Sequence, residues 1–600
     1  MNISRFHKLP ATARTRRIHA AVLGMLGAGA LVLSGCSTTG TASSTTDTAA
    51  GTSVSATESA DSTANSSGEA TAAIAITSTD QLADATHYDS DDAVYEDSDV
   101  TTVTLSGTSA TASGPDSSDI SVSEADGEAI VTISGTGTYR LSGTLTGQVV
   151  VTSDSEAAVQ LILDDASITS STGPAINITS ADEVTVVLAQ DSQNTLTDAT
   201  TRPSDESDPN TEASAALYSK ADLTVTGAGS LAVTGNYDDA IHSKDGLVID
   251  GPNITVTAVD DGIIGKDYLV LVSGSVNVTS TDTGFGSDND EEENRGWLSI
   301  LGGSLTVATD DDGVKAENAI AISGGTVDVT KSEEGIEAAR ILTSDGTVNV
   351  MSNDDGINAS GGYGTETSTE DAAAPGGGQM PADGSMPADG TMPEGDPLTG
   401  EAPTDTQGDM TGGGAPQGFP GGGGGGGMEA AGDQMITITG GTITVNAGGD
   451  GLDSNGSMEI SGGTITVNGP ENDGNGALDV AGTFEITGGT LLATGSSGMA
   501  EAPDTSSSQT SISTALGSSV ASGTPLAIAD SSGKIVAAFT TLKSISHVVF
   551  SSESLTAGEE YTVYQLASEG QTDLGTATAL VTATAGEYTS GGMGGMGGRP

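Results

Sequence analysis

The chain has 600 residues, with 17 Lys and Arg against 82 Asp and Glu and a formal net charge of −65. This charge repels nucleic acids and anionic lipid heads and attracts divalent cations, so we expect no nucleic-acid partner. Aromatic residues make up only 3% and there is one cysteine, which excludes an aromatic-rich core and a disulfide within the chain. Short strands of Val, Ile and Thr joined by glycine turns are expected instead.

The first 35 residues have the layout of a signal peptide. Basic residues precede an apolar run from Ala20 to Leu33 that is too short to span a membrane. The following Leu33-Ser34-Gly35-Cys36 resembles the lipobox of bacterial lipoproteins, in which the cysteine is lipidated. We therefore expect a cell-surface protein on the extracellular face of the membrane, attached by a lipid anchor at Cys36 alone. The alternative is an ordinary cleaved signal sequence with a free thiol.

Three further segments have a composition typical of disorder, because they contain few large apolar residues. These are a Ser/Thr/Ala-rich stalk over residues 36–77, a Gly/Pro/Met insertion over 361–432 and a Gly/Met tail over 591–600. Lengthy disordered segments are thus predicted between and beside the folded parts.

Residues 78–500 contain a repeated unit in which a small loop residue precedes Ile, Val or Leu. The small residues recur at 22 residues (Ala240 to Gly262) and at 21 (Gly335 to Gly356), and in most units a Gly-Gly-Thr type turn follows. Longer gaps are attributed to local insertions. This period predicts an all-β chain folded as a parallel β-helix, whose stacked coils bury one apolar column. The predicted column comprises Ile241, Ile263, Val314, Ile336, Ile357, Leu452 and Leu478.

The competing fold is a β-sandwich, which does not predict the recurrence of one loop at a fixed period. Upstream strands from Thr101 are expected to form the first coils and cap, and residues 501–590 a small β cap at the C-terminal end.

Carboxylates occupy the two positions before most of the small loop residues. Stacked coils would align them about 5 Å apart, where like charges repel, so a compensating cation is expected. Calcium, which prefers oxygen ligands, fits better than zinc or copper in a chain poor in Cys and His. The alternative is a solvated acidic turn. The candidate metal ligands are Asp238, Asp239, Asp260, Asp261, Asp311, Asp312, Glu333, Glu334, Asp354, Asp355 and Asp450.

Three lysines, Lys220, Lys244 and Lys266, each lie four residues after a small loop residue. In a chain with so few cations, a lysine row could bind the carboxylates of an acidic sugar polymer. The alternative interpretation is a solvated row neutralised by neighbouring aspartates.

These features resemble the calcium-binding, right-handed β-helix carbohydrate-binding proteins of bacterial cell surfaces, whose fold is pectate-lyase-like. The resemblance covers roughly His87 to Thr584 through GTYRLSG at Gly137, NTLTD at Asn194, the DDGI-type loops, the Gly-Gly-Thr turns and SSGM at Ser496. It implies a right-handed β-helix that holds calcium and binds an acidic plant-type polysaccharide such as polygalacturonate, or cellulose. The long Gly/Pro/Met insertion departs from this pattern.

Three functions remain open. The first is a non-catalytic, monomeric surface protein that captures polysaccharide. The second is a calcium-dependent polysaccharide lyase, for which Lys266, Lys315 or Arg340 would have to serve as the base, although no catalytic constellation surrounds them. The third is a structural scaffold or adhesin. The scarcity of aromatic residues for stacking on neutral sugars (Tyr237, Tyr268, Trp297) favours an acidic ligand.

Overall fold

The computed structural model describes residues 75–153, 158–203, 210–362 and 431–588. The signal peptide, Cys36, nearly all of the stalk, most of the insertion and the tail lie outside them. The described part is almost entirely β, with one short α-helix, Leu82–Ala85, and 3-10 turns at Thr79–Gln81, Ser90–Ala93, Asp97–Asp99 and Ser117–Asp119. The all-β prediction is confirmed. Within these ranges no helix is long and apolar enough to cross a membrane.

The strands of the N-terminal part are β1 (Val100–Gly107), β2 (Ala110–Ser113), β3 (Ile120–Ala125), β4 (Glu128–Ile133), β5 (Gly137–Thr152), β6 (Val159–Thr169), β7 (Ile176–Ser180), β8 (Glu183–Leu188) and β9 (Gln193–Thr197). The central strands are β10 (Ala215–Ser219), β11 (Asp222–Gly227), β12 (Ser230–Gly235), β13 (Asp239–Ser243), β14 (Gly246–Ala258), β15 (Ile263–Gly265), β16 (Tyr268–Thr279), β17 (Phe285–Ser287), β18 (Trp297–Ile300), β19 (Ser304–Ala308), β20 (Val314–Ala316), β21 (Ala319–Ile322), β22 (Thr326–Lys331), β23 (Ile336–Glu337), β24 (Arg340–Thr343), β25 (Thr347–Met351) and β26 (Ile357–Ala359).

After the insertion the chain continues with β27 (Met435–Ile438), β28 (Thr442–Asn446), β29 (Leu452–Ser454), β30 (Ser457–Ile460), β31 (Thr464–Asn468), β32 (Leu478–Val480), β33 (Phe484–Ile486) and β34 (Thr490–Gly495). The C-terminal strands are β35 (Ser511–Val520), β36 (Pro525–Asp530), β37 (Ile535–Thr540), β38 (Ile545–Ser551), β39 (Glu560–Gln565) and β40 (Thr578–Thr584).

From β7 to β34 the strands form three parallel ladders, each strand pairing with its counterpart about one repeat further along the chain. The first ladder runs through β7, β10, β13, β15, β17, β20, β23, β26, β29 and β32. The second runs through β8, β11, β14, β16, β18, β21, β24, β27, β30 and β33. The third runs through β9, β12, β14, β16, β19, β22, β25, β28, β31 and β34. One strand from each ladder, in sequence, is called a coil below.

The predicted apolar column lies in the first ladder, where its members are 0–2% exposed. Its residues pair in direct register from Ile241 to Leu478, but Phe285 stands between Ile263 and Val314. The gap at this point was expected to be an insertion. It is instead a whole coil, whose loop has Thr283 in place of the carboxylate that directly precedes the small residue in the other loops.

The second position of the Gly-Gly-Thr turns needs glycine, because its backbone has a positive φ and lies close to the previous coil. Gly463, for example, has φ +83°, and a Cβ there would lie 2.7 Å from the carbonyl oxygen of Gly440 in the coil before. Positive φ is unfavourable for other residues, so the turn sequence repeats with the coil.

The insertion connects two strands without disturbing the register on either side. It leaves after β26 and returns before β27, and the pairs Arg340↔Met435 and Ile357↔Leu452 continue their ladders. The prediction that it falls within one coil agrees with these pairings.

Residues 75–99, called the N-terminal strap, lie across the outer face of the second ladder. Ala75 and Ile76, assigned above to the end of the stalk, are buried there. Ser299 Oγ donates to the Ile76 carbonyl at 2.8 Å, and Tyr88 Oη donates to Asp250 Oδ2 at 2.6 Å. The strap therefore covers part of a sheet face that would otherwise be open.

The C-terminal part closes the other end. Strand β38 pairs antiparallel with β34 and β35, and β36, β37, β39 and β40 form a separate four-stranded antiparallel sheet. Antiparallel strands protect the last parallel edge from pairing with other chains.

Candidate functional site

Two rows of acidic side chains lie where the loops enter the first ladder, and Asp239 is already the first residue of β13. Backbone bonds join the loop of each coil to that of the next, as in Asp260 N–H to the Asp238 carbonyl at 3.2 Å and Asp354 N–H to the Glu333 carbonyl at 2.9 Å. We call the position directly before the small residue the inner row and the preceding position the outer row. The coil missed above adds Asp282 to the outer row, and Thr283 interrupts the inner row.

Asp238, Asp239 and Asp260 form the first acidic group. Each supplies a carboxylate oxygen within 4.8 Å of the others. Burial and the neighbouring carboxylates of Asp260 and Asp239 raise the pKa of Asp238 to about 7. Burial, with the charge of Asp239 next, raises the pKa of Asp261 to about 8. The group is therefore costly to ionise without a cation.

Polar and aromatic side chains surround this group. Asp239 Oδ2 lies 2.7 Å from Nδ1 of buried His242. Tyr237, next in sequence, is 40% exposed, and the Arg202 guanidinium lies 4.5 Å from its ring centroid. Arg202 is itself buried and ion-paired with Asp198 at 2.7 Å. A partly exposed aromatic ring, with Arg202 over it, thus directly precedes the first acidic group in the chain.

Asp312, Glu334 and Glu337 form a second acidic group within the same distance limit. Here a lysine supplies the compensating charge, because Lys315 Nζ lies 2.6 Å from Asp312 and 2.8 Å from Glu337. Burial disfavours the ammonium, but the bonds to the two carboxylates outweigh it, and the pKa of Lys315 is raised. Burial raises the pKa of Asp312 to about 6.

Other inner-row carboxylates are satisfied by the next coil. Asp261 Oδ1 accepts from Thr283 N–H at 2.9 Å, Asp355 Oδ1 from Asp450 N–H at 2.6 Å, and Asp450 Oδ1 from Gly476 N–H at 2.5 Å. The predicted metal ligands therefore do not form uniform rows. Asp238, Asp239 and Asp260 form one group of three carboxylates, and Lys315 neutralises the group at Asp312. Asp261, Asp355 and Asp450 accept backbone N–H groups of the next coil. Asp311, Glu333 and Asp354 remain in the outer row.

The three predicted ligand-binding lysines lie in successive coils: Lys244 N–H donates to the Ser219 carbonyl and Lys266 N–H to the Ser243 carbonyl. Two are engaged by carboxylates, Lys220 with Glu212 at 2.5 Å and Lys266 with Glu291 at 3.3 Å. Lys244 is exposed. The row exists, and most of its charge is already neutralised.

Two of the three candidate sugar-stacking aromatics are inaccessible. Tyr268 and Trp297 stack with centroids 5.0 Å apart, are each 3% exposed, and pack against Ala75, Ile76 and Leu82. Of the three, only Tyr237 is exposed, at 40%, and Arg202 lies over its ring.

Sequence reasoning did not single out a second column in the first ladder, two residues after each small loop residue. In register it holds Lys315, Glu337, Asn358, Asp453 and Asp479, and we call it the outward column. Burial and the charges of Asp355, Asp479, Asp450 and Glu334 raise the pKa of Asp453 to about 7. Only the fixed offset from the loop could have revealed it, since the residue types differ.

The first acidic group fits a hard cation. Its donors are all carboxylate oxygens, and they converge from two successive coils. Calcium accepts such donors together with carbonyls and water, and would lower the pKa of each carboxyl. The three candidate bases for a lyase are poorly suited to abstract a proton. Lys315 has a raised pKa and so stays protonated, and Lys266 is ion-paired. Arg340 lies in the second ladder.

Comparison with known proteins gives three similarities. A family model described as carbohydrate-binding domain-containing protein matches residues 127–374. A carbohydrate-binding domain-containing protein of Acetivibrio thermocellus is 37% identical over 140 residues, which cover 23% of this chain and 47% of that protein. The chain thus spans about half the length of this relative.

A solved structure of a polysaccharide lyase-like protein from C. thermocellum, a gadolinium derivative, covers 44% of this chain and 97% of that chain, with 27% identity and a TM-score of 0.36. A TM-score of this size does not establish a common fold. The family match contains both acidic groups, Tyr237 and the lysine row, but not β27 to β40.

Proposed function

We propose that this protein is a surface lipoprotein that captures polysaccharide without cleaving it, using calcium at the Asp238, Asp239 and Asp260 group. The observation that carries the proposal is the convergence of these three carboxylates directly after Tyr237, whose ring packs against Arg202 and stays 40% exposed. Both lie inside the segment that matches the carbohydrate-binding family model. An aromatic face and a hard cation together suit a sugar ring that carries a carboxylate.

The finer description of the scaffold belongs to the same proposal. We infer a right-handed parallel β-helix, supported by three parallel ladders and a repeat near 22 residues. Lipidation at Cys36 would hold it on the extracellular face of the membrane as a monomer. The lipobox-like sequence and the signal-peptide layout support this localisation.

The ligand class follows from charge. The chain carries −65 overall, so a polyanion such as polygalacturonate is repelled unless a bound cation joins its uronate to the protein. Calcium with open coordination positions would accept the uronate oxygens, while Tyr237 contacts the ring. Lys244, exposed directly after β13 in the coil of Asp238 and Asp239, lies in the row proposed to reach further carboxylates along the polymer.

A non-catalytic role is favoured over a lyase. Lyase chemistry needs an unprotonated base beside the bridging cation. Lys315, the cation within the second acidic group, has a raised pKa and two carboxylate partners. It is therefore a counter-ion.

The test is calorimetric titration of the chain with polygalacturonate, with calcium and with chelator, while ultraviolet absorbance follows unsaturated product. We expect binding only with calcium and no new absorbance. Rising absorbance would identify a lyase, and absence of binding in both conditions would leave the scaffold or adhesin function.

Asp238→Asn with Asp260→Asn should weaken the polysaccharide affinity at least tenfold. The matched control is Glu459→Gln with Glu485→Gln, two exposed carboxylates that pair in adjacent coils of the second ladder. It removes the same charge elsewhere. Equal affinities of the two double variants would contradict the assignment of the site.

A further inference from the structure

The N-terminal strap lacks the ladder hydrogen bonds that hold the coils together. Of residues 75–99, only Ala75, Ile76 and Leu82 are buried. The backbone–backbone hydrogen bonds of the strap, such as Thr86 N–H to the Leu82 carbonyl, join strap residues to one another. The strap also carries eight Asp and Glu and no Lys or Arg, so it lies on an acidic protein against charge repulsion. Few buried apolar side chains and no ladder are typical of a segment that opens locally.

Side chains make the polar contacts between the strap and the stack. His87, whose side chain is 8% exposed, has Nδ1 2.8 Å from Tyr268 Oη and Nε2 2.9 Å from Thr224 Oγ1. Further along the strap, Gln160 Nε2 donates to the Asp92 carbonyl at 2.5 Å. These contacts follow one another along the strap, so they can break one at a time.

The strap runs against the order of the coils. Ile76 is bonded to β18, Tyr88 to β14 and Asp97 to β5. The chain therefore enters the strap near the middle of the stack and leaves it for β1 at the N-terminal end. Cys36 connects to the stack through residues 37–74 and then through the mid-stack end of the strap.

The first acidic group lies across the stack from the strap. Each coil passes through the first, second and third ladders in turn, so the loops that enter the first ladder lie at the edge between the third and the first. The strap covers the second ladder, which does not border this edge. A polymer held at the acidic group and an anchor attached through Ala75 therefore pull the strap outward from its face. Such a load falls on one contact at a time, whereas paired strands share it over several backbone bonds.

We propose that the strap is a release joint: tension between the membrane anchor and a captured polymer peels residues 75–99 from the second ladder, beginning at Ala75, before any coil opens. The proposal rests on the anchor at Cys36 and the ligand site proposed above. An extended residue spans at most about 3.3–3.6 Å, so the 25 released residues lengthen the tether by at most about 80–90 Å. The protein thereby yields to a pull on its ligand while the coils and the acidic loops stay folded.

The experiment stretches single molecules of the lipid-free mature chain at saturating calcium. One handle is attached to Cys36 and the other to Lys244→Cys, an exposed position directly after β13. We expect an early reversible step of at most about 80–90 Å, followed at higher force by longer steps from the coils. A first step longer than the strap allows, or strap and coils that open together, would overturn the proposal.

Truncating a buried side chain of the strap should affect the early step alone. Leu82→Ala should release the strap at least tenfold faster at a fixed force, with the later steps unchanged. The matched control is Leu555→Ala, a leucine of similar burial in the C-terminal part, outside the segment between the handles. It should change neither kind of step. Equal early steps in Leu82→Ala and the wild-type chain would contradict the release joint.

Trp297 gives a second readout that needs no force. It is the only tryptophan of the chain, is 3% exposed and packs under the strap with Tyr268. In Leu82→Ala, acrylamide should quench its fluorescence at least twofold more steeply, while hydrogen exchange of β10 to β34 stays unchanged. Quenching at the wild-type level in the folded variant would show that the strap does not detach by itself and would sink the proposal.

The anchor is tested apart from the strap. Mass spectrometry of the chain extracted from membranes detects lipid on Cys36, and we expect the lipidated mass. An unmodified Cys36 would overturn the release joint even if the strap opens first under force, and would leave the calcium-dependent polysaccharide binding of the proposed function standing.

Discussion

The two halves of the stack carry similar acidic loops but balance them differently. Strands β10 to β24 include seven cationic residues in or beside them, whereas β25 to β34 include none. In the first half the cations form ion pairs, such as Arg295 with Asp267 at 3.2 Å and Lys315 with Asp312. In the second half Asp355 and Asp450 accept backbone N–H groups, as Asp261 does in the first half, but no lysine or arginine of these strands adds its charge.

This difference in counter-charges predicts which half of the stack depends more on bound calcium for its stability. A lysine or arginine stays with its carboxylates at any calcium concentration, while a backbone donor neutralises only part of a charge. We therefore expect the second half to depend more on calcium than the first, apart from the Asp238 group.

The largest effect should come from removing calcium. At free calcium a hundredfold above Kd, each ion bound only by the folded chain contributes about 2.7 kcal/mol. Calorimetric or spectroscopic melting should show a lower Tm in chelator. Limited proteolysis should then cleave β25 to β34 before β10 to β24. Equal cleavage of both halves would contradict the comparison.

In chelator the stability should also fall as pH rises. Asp238, Asp261, Glu334 and Asp450 have folded-state pKa values of about 7 to 8, well above the value of about 4 in an unfolded chain. Between about pH 4 and 8 the folded chain therefore holds more protons, so unfolding becomes easier as pH increases. Melting at pH 5 and pH 8 measures this. With calcium bound, the difference should shrink.

Core truncation should be costly in both halves and insensitive to calcium. Ile336→Ala and Leu452→Ala each remove a buried residue of the apolar column and should cost about 2–5 kcal/mol. Denaturant unfolding at saturating calcium and in chelator gives the two values. A much larger calcium dependence at one of them would show that the halves differ in packing as well as in charge.

Lys315→Met should make the first half resemble the second. Asp312 and Glu337 lose their ammonium, and because Lys315 is 36% exposed on its side chain we expect a loss of about 1–2 kcal/mol in chelator. Calcium should recover most of it by entering the second acidic group. Lys331→Met, at an exposed ion pair with Asp310, is the control and should change stability little. Stability that calcium does not restore would contradict this.

The smallest effect should be at the N-terminal strap. Tyr88→Phe removes one hydrogen bond to Asp250 and should cost about 0.5–1.5 kcal/mol. Hydrogen exchange should show faster opening of residues 75–99 with the stack unchanged. Faster exchange throughout β10 to β34 would show that the strap holds the stack together.

The apolar column and the acidic loops could be predicted because each coil repeats the same local requirement. A buried β-branched or aliphatic residue must meet its counterpart, and the turn glycine needs a positive φ. The coil of Phe285 was missed because Thr283 replaces its carboxylate and Phe replaces the usual aliphatic residue. The repeat cannot be recognised in the sequence where both the carboxylate and the aliphatic residue of the loop are replaced.

The site was harder to predict because it depends on side-chain partners. Asp239 and Asp312 occupy the same place in the repeat, and only the residue three positions later differs, His242 after Asp239 and Lys315 after Asp312; the sequence does not show that Lys315 also reaches Glu337. The covering of Tyr268 and Trp297 by residues 75–82 joins segments far apart in the chain, which no local pattern reports.

The connection between β26 and β27 should also accept an inserted domain. Because β24 and β27 pair in the same register as the uninterrupted coils, the parallel stack places no demand on the length of chain between β26 and β27. Lengthening such a connection adds a closure entropy that grows only with the logarithm of its length. A reporter or second binding domain grafted between Gly362 and residue 431 should therefore leave the coils on both sides folded.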